Sequence, residues 1–114
     1  MNETINSIKL SACISAQDGV ISNRELDTCY EIASNLFSDL TKEIFDEAID
    51  AFFDENLELE DYLGLLEDSK IEKKALLHLC YESAVADGFE IRENFAFTKA
   101  CNFFGISKED FTSA

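Results

Sequence analysis

Four carboxylates sit where they could act together. Asp18 and Glu25 flank the stretch Gln17-Asp18-Gly19-Val20-Ile21-Ser22-Asn23-Arg24-Glu25, and Asp87 and Glu93 flank a second Asp-Gly pair, Asp87-Gly88. Oxygen donors gathered around a turn are what hard divalent cations take. The first stretch looks like the back half of an EF-hand calcium loop, with Gly19 at the sixth position, Asp18 at the fifth and Glu25 at the twelfth. The front half is missing, because the first and third positions fall on Ile14 and Ala16. In the second copy those positions are Ser83 and Val85, and the twelfth is Asn94. Two apolar positions out of six cannot build that cage, so an EF-hand is rejected. The same residues also suffice for a purely structural device: a glycine for a sharp turn, an Asp bonding nearby amides, and Ser22-x-x-Glu25 as a helix-capping box.

The elements that must position these groups read as helices throughout. Ile5, Ile8, Ala12 and Ala16 are spaced for a helix over residues 2 to about 16. The capping box opens a second, carrying Leu26, Cys29, Tyr30, Ala33, Leu36 and Phe37. A third is expected over 41 to 54, a short fourth over 59 to 66, and a fifth over about 70 to 86 that is apolar on most sides and so reads as the central helix. A sixth runs from about 92 to 104, stopped by Gly105, and Ser107 caps a last short one. Proline is absent and strand alternation is lacking, so the fold class is all-α, with residues 1–114 forming a single domain. Ala16-Gln17-Asp18-Gly19 recurs as Val85-Ala86-Asp87-Gly88, which predicts two pseudo-symmetric helix-turn-helix units. Packed as a pair, they would bring Asp18 and Glu25 toward Asp87 and Glu93.

Composition narrows the partners. With 24 acids against 9 bases the net charge is −15, which argues against direct nucleic-acid binding, since phosphates need Lys and Arg. The four cysteines form no CxxC pair and the single histidine, His78, lies in a leucine-rich run, so a zinc finger is excluded and buried thiols are expected. His78 reads as a structural residue at the edge of a buried helix. No apolar run is long enough to span a bilayer, and MNETINSIKL lacks the pattern of a signal peptide. The expected location is the cytoplasm. No phosphate loop, nucleophile elbow or zinc-protease motif occurs, so no catalytic residue is assigned and a non-enzyme is expected.

From Glu43 to Asp68 there are eleven acids and no base. Asp46, Asp50 and Asp54 would stack at intervals of four on one helix face, where like charges repel, and Glu58 and Asp61 continue the run. The run reads either as a solvated face or as a surface for a basic partner, steered by charge. An acidic inhibitor, immunity protein or DNA mimic acting through residues 43–68 is the alternative function this raises.

The segments SAQDGVISNRELDTCYEIASNLF and KKALLHLCYESAVADGFEIRENFAFTKACNFFGISKEDF resemble the tellurite-resistance TerB-like family, itself similar to the N-terminal domain of certain membrane-anchored J-domain co-chaperones. The resemblance covers nearly the whole chain. It implies a compact bundle of about seven helices and a small binding or adaptor protein of a stress-response or defence system. It further implies a divalent cation (Ca, Mg, Mn or Zn) at the acidic turns, no organic cofactor, and a membrane-associated protein partner without membrane insertion; the net charge of −15 points to a basic partner surface. Asp18, Gly19, Ile21 and Glu25 match the family's A-D-G-x-[IL]-x-x-x-E pattern. In the second copy Ala86, Asp87 and Gly88 match, but the apolar position falls late, on Ile91, and the Glu position falls on Asn94, with Glu93 beside it.

Overall fold

A computed structural model describes residues 2–88 and 90–112. They form seven helices: α1 Asn2–Ser15, α2 Asn23–Leu36, α3 Lys42–Asp54, α4 Leu59–Leu66, α5 Lys73–Val85, α6 Ile91–Phe104 and α7 Glu109–Thr112. No strand occurs among the described residues. The all-α bundle expected from the apolar spacing is what the chain adopts, with a Cα radius of gyration of 12.6 Å.

The helix ends follow from local chemistry. The Ser22 hydroxyl accepts the Glu25 amide (3.1 Å) while Glu25 Oε1 accepts the Ser22 amide (2.9 Å), completing the expected capping box. Gly105 adopts φ +70° and closes α6, its successor's amide reaching back to the Cys101 carbonyl at 3.0 Å. At α5 and α6 the N-cap is a glutamate, Glu72 and Glu90. The α5 start lies three residues later than expected from spacing and the α6 start one residue earlier.

The centre of the bundle is shared. Sequence pattern pointed to α5, but α1 packs against α2, α3, α4, α5 and α6. Its buried set includes Thr4, Ser7, Ser11 and Ser15 as well as Ile8, Leu10 and Ile14. Small hydroxyl side chains read as polar in a hydrophobic pattern, yet they bury readily when they bond locally. Ser7 Oγ donates to the Glu3 carbonyl at 2.6 Å. Two apolar clusters result. One joins α1, α4, α5 and α6 around Leu10, Tyr62, Leu76 and Phe97; the other joins α1, α2, α3 and α5 around Ile8, Phe45 and Leu79. All four cysteines are free and buried in these clusters, as expected. His78, by contrast, is exposed on α5, because its neighbours Leu77 and Leu79 take the inward positions.

The repeated sequence gives a repeated structure. The Gly19 amide donates to the Ala16 carbonyl (2.9 Å) and the Gly88 amide to the Val85 carbonyl (3.0 Å). The two glycines have φ +91° and +93°, a conformation other residues rarely hold. α2 packs on α5 and α1 on α6, so each hairpin lays its elements across the other's and both turns come to one end of the bundle.

A candidate cation pocket between the two Asp-Gly turns

A cavity of about 230 Å³ lies between the turns. Ser15, Asp18, Ser22 and Glu25 line it from one unit, and Asp87, Gly88, Glu90 and Glu93 from the other. All four acids singled out from spacing therefore border one pocket. Glu82, a further acid near the second turn, is not part of its wall.

Glu93 is the residue that motif counting left off register. The second loop is one residue shorter than the first between glycine and N-cap: Gly19 precedes Ser22 by three, and Gly88 precedes Glu90 by two. That places Glu93, not Asn94, at the third helical position, where its Oε1 accepts the Glu90 amide at 3.0 Å. It is the structural counterpart of Glu25. The signal in the sequence was Glu90-x-x-Glu93, a capping box with an unusual first residue. Ile91, the apolar residue that a late register would have placed in the core, is 72 % exposed. Phe89 lies outside the described residues.

Glu25 and Glu93 are 6 % and 5 % exposed. Burial pushes the Glu93 carboxyl up to about 8; the Glu90 amide opposes this, and the neighbouring Glu25 carboxyl adds to it. Asp18 and Asp87 stand at the exposed mouth, where Asp18 Oδ1 accepts the Val20 amide at 3.1 Å and braces the turn. Ser15 is 3 % exposed, and its Oγ is buried with no hydrogen-bond partner among the described residues. A buried hydroxyl without a partner is uncommon.

The donor set is all oxygen, which suits Ca²⁺, Mg²⁺ or Mn²⁺ better than a softer ion. The side chains as they stand are not drawn together: among the described residues no three His, Cys, Asp or Glu converge as a ready-made ion site. One oxygen of Glu25 and one of Glu93 is committed to a helix cap, leaving the second oxygen of each for a ligand.

The acidic stretch is less uniform than its sequence suggests. Asp46, Asp50 and Asp54 are all exposed on α3, but Asp46 accepts Lys42 at 2.9 Å. Glu55 turns inward to Lys9 (3.0 Å) and Tyr62 (2.7 Å), and Glu60 meets Lys99 at 2.9 Å. Glu58 and Asp61 form the cap of α4, Asp61 accepting the Glu58 amide at 2.8 Å.

No curated protein and no solved structure matches the chain. A family model described as tellurite resistance protein TerB matches residues 4–114. With its helical bundle and its paired Asp-Gly turns, the chain belongs to the TerB family.

Proposed function

We propose that this TerB-family domain is a small acidic binding or adaptor protein of a stress-response or defence system. In this reading it holds one hard divalent cation in the pocket between its Asp-Gly turns. The observation that carries the proposal is the burial of two carboxyls, Glu25 and Glu93, beside an unpartnered Ser15 hydroxyl. Buried carboxylates side by side repel and need a proton or a cation between them. Asp18 and Asp87 would complete the donor set from the mouth of the pocket. A bound cation would supply charge neutralisation and a clamp between the two helical hairpins. No reacting group is assigned: the one histidine is exposed away from the pocket, and burial raises the thiol pKa of every cysteine. The reading is therefore of a binding domain rather than an enzyme, acting in the cytoplasm.

Isothermal titration of the metal-free protein with Ca²⁺, Mg²⁺, Mn²⁺ and Zn²⁺ tests it. Heat with at least one of the first three, lost in Asp18→Ala and in Glu25→Gln, is the expected outcome. Absence of heat with all four at millimolar cation would reduce the two turns to structural devices.

A second reading has its own observation. Phe53, 52 % exposed, sits on α3 between Asp50 and Asp54. An exposed aromatic on an acidic helix suits a basic protein surface, as for an inhibitor, immunity protein or DNA mimic. Retention of a basic partner that is unchanged by Asp46→Lys, Asp50→Lys and Asp54→Lys together would count against it.

A further inference from the structure

A second concavity lies beside the acidic pocket and shares none of its lining residues. It is a groove of about 690 Å³ between the start of α4 and the outer face of α6. Its floor is small and buried, Cys13 and Ala96, while Leu57 and Phe95 rise from its walls, 43 % and 68 % exposed. Among the described residues Phe95 is thus a large apolar side chain left mostly open to water.

The charges around the groove are ordered. Along α6, Arg92, Phe95 and Lys99 follow at intervals of three and four, so an aromatic stands between two cations on one face. Arg92 and Lys99 are two turns apart, about 10 Å along the axis. The opposite wall carries Glu58 and Glu60. Lys99 meets Glu60 at 2.9 Å with both side chains more than half exposed, and Arg92 only loosely approaches Glu90 at 3.8 Å. Exposed pairs of this kind contribute little and exchange readily for a partner's charges.

We infer that this groove receives an amphipathic helix of a partner protein. The apolar face of that helix would lie on Phe95 and Leu57, its acidic edge on Arg92 and Lys99, and its basic edge toward Glu58 and Glu60. The apolar residues of such a helix recur at i, i+3, i+4 and i+7. A second copy of this chain is the poorer occupant, since each copy carries a net charge of −15 and the two would repel.

Two fluorescein-labelled helical peptides test the inference by anisotropy. Both have leucines at i, i+3, i+4 and i+7. One has glutamates along one edge and lysines along the other; the second has lysines on both edges. Attraction to the acidic protein in general favours the all-lysine peptide. The groove favours the mixed peptide, expected to bind at least tenfold more tightly. Phe95→Asp and Arg92→Glu are each expected to weaken it at least tenfold. Phe103→Asp, the same change at an exposed position of α6 outside the groove, is expected to leave binding unaltered; unaltered thermal midpoints show that each variant is folded. The inference is overturned if the all-lysine peptide binds more tightly, if neither binds at millimolar concentration, or if Phe95→Asp and Phe103→Asp behave alike. Sedimentation that finds wild type self-associating and Phe95→Asp monomeric would give the groove to a second copy and overturn it too.

Discussion

Glu25 and Glu93 come from opposite halves of the chain and meet in one pocket, each accepting the amide that opens its own helix, at 2.9 and 3.0 Å. Two helix caps have been turned toward each other, and their carboxyls are buried in the process. The Glu93 carboxyl is raised from 4.5 to about 8, first by burial. The folded protein therefore keeps a proton that the unfolded chain has released. This contribution to stability is fully present below about pH 4.5 and is lost as pH rises toward 8. Between pH 5 and 8 the thermal midpoint of the cation-free protein is expected to fall. Glu93→Gln, which keeps the cap and removes the charge, is expected to raise the midpoint at pH 8 on the order of 5 °C. Thermal melts of both proteins across that range check it; parallel curves would show that Glu93 carries no raised pKa.

Cation and proton compete for the same oxygens under the proposed function. Below pH 8, cation binding is expected to expel the Glu93 proton. Titration heats would then depend on the ionisation enthalpy of the buffer, and the dependence would vanish in Glu93→Gln. Buffer-independent heats in wild type would place the cation away from Glu93.

Lys9, Glu55 and Tyr62 form a network across α1, the end of α3 and α4. Burial works to raise the Glu55 carboxyl, but the Tyr62 hydroxyl and Lys9 ammonium outweigh it and hold it below the usual carboxylate range. A depressed carboxyl stabilises the fold above its unfolded value near 4.5, and that contribution is lost as pH falls through the folded value. Tyr62→Phe is expected to cost about 1 kcal/mol at pH 7, with the difference from wild type shrinking in acid. Urea melts at pH 7 and pH 3 measure both.

Gly88 and Gly64 should respond oppositely to alanine. A Cβ at either would touch nothing within 4 Å, so only backbone conformation differs. Gly88 has φ +93°, and Gly88→Ala is expected to destabilise by about 1–2 kcal/mol. Gly64 lies within α4, where alanine is the better helix former, and Gly64→Ala is expected to stabilise by about 0.5–1 kcal/mol. Denaturant melts decide; equal effects would contradict the turn geometry.

Phe95 and Phe97 are two residues apart and face opposite ways. Phe97 is fully buried and packs its ring against Tyr81 and Phe111. Phe97→Ala is expected to cost about 3–5 kcal/mol, and Phe95→Ala to stay within about 0.5 kcal/mol. Comparable losses would mean that Phe95 belongs to the core.

Sequence reading placed the helices well where a residue has one local job. Ser22 and Glu25 form their capping box, and Gly105 ends its helix, because those contacts close within a few residues. It failed where burial depends on what lies opposite. Ser7 and Ser11 of α1 lie outside the stripe of Ile5, Ile8, Ala12 and Ala16 expected from spacing, yet are buried at the centre. The acidic run read as one surface, but Glu55 and Glu60 are taken up by Lys9 and Lys99 from helices far away in the chain.

The chain by itself determined the all-helical class, the two glycine turns and the identity of the four pocket acids. Those follow from periodicity, from the need for positive φ, and from local hydrogen bonding. Only the tertiary structure decided that Glu93 lies opposite Glu25 in one pocket, because their approach depends on how the two hairpins pack. The tertiary structure alone also buried both carboxyls in one cavity with Ser15, since solvent exclusion depends on how the two hairpins cross, and no local pattern encodes that crossing.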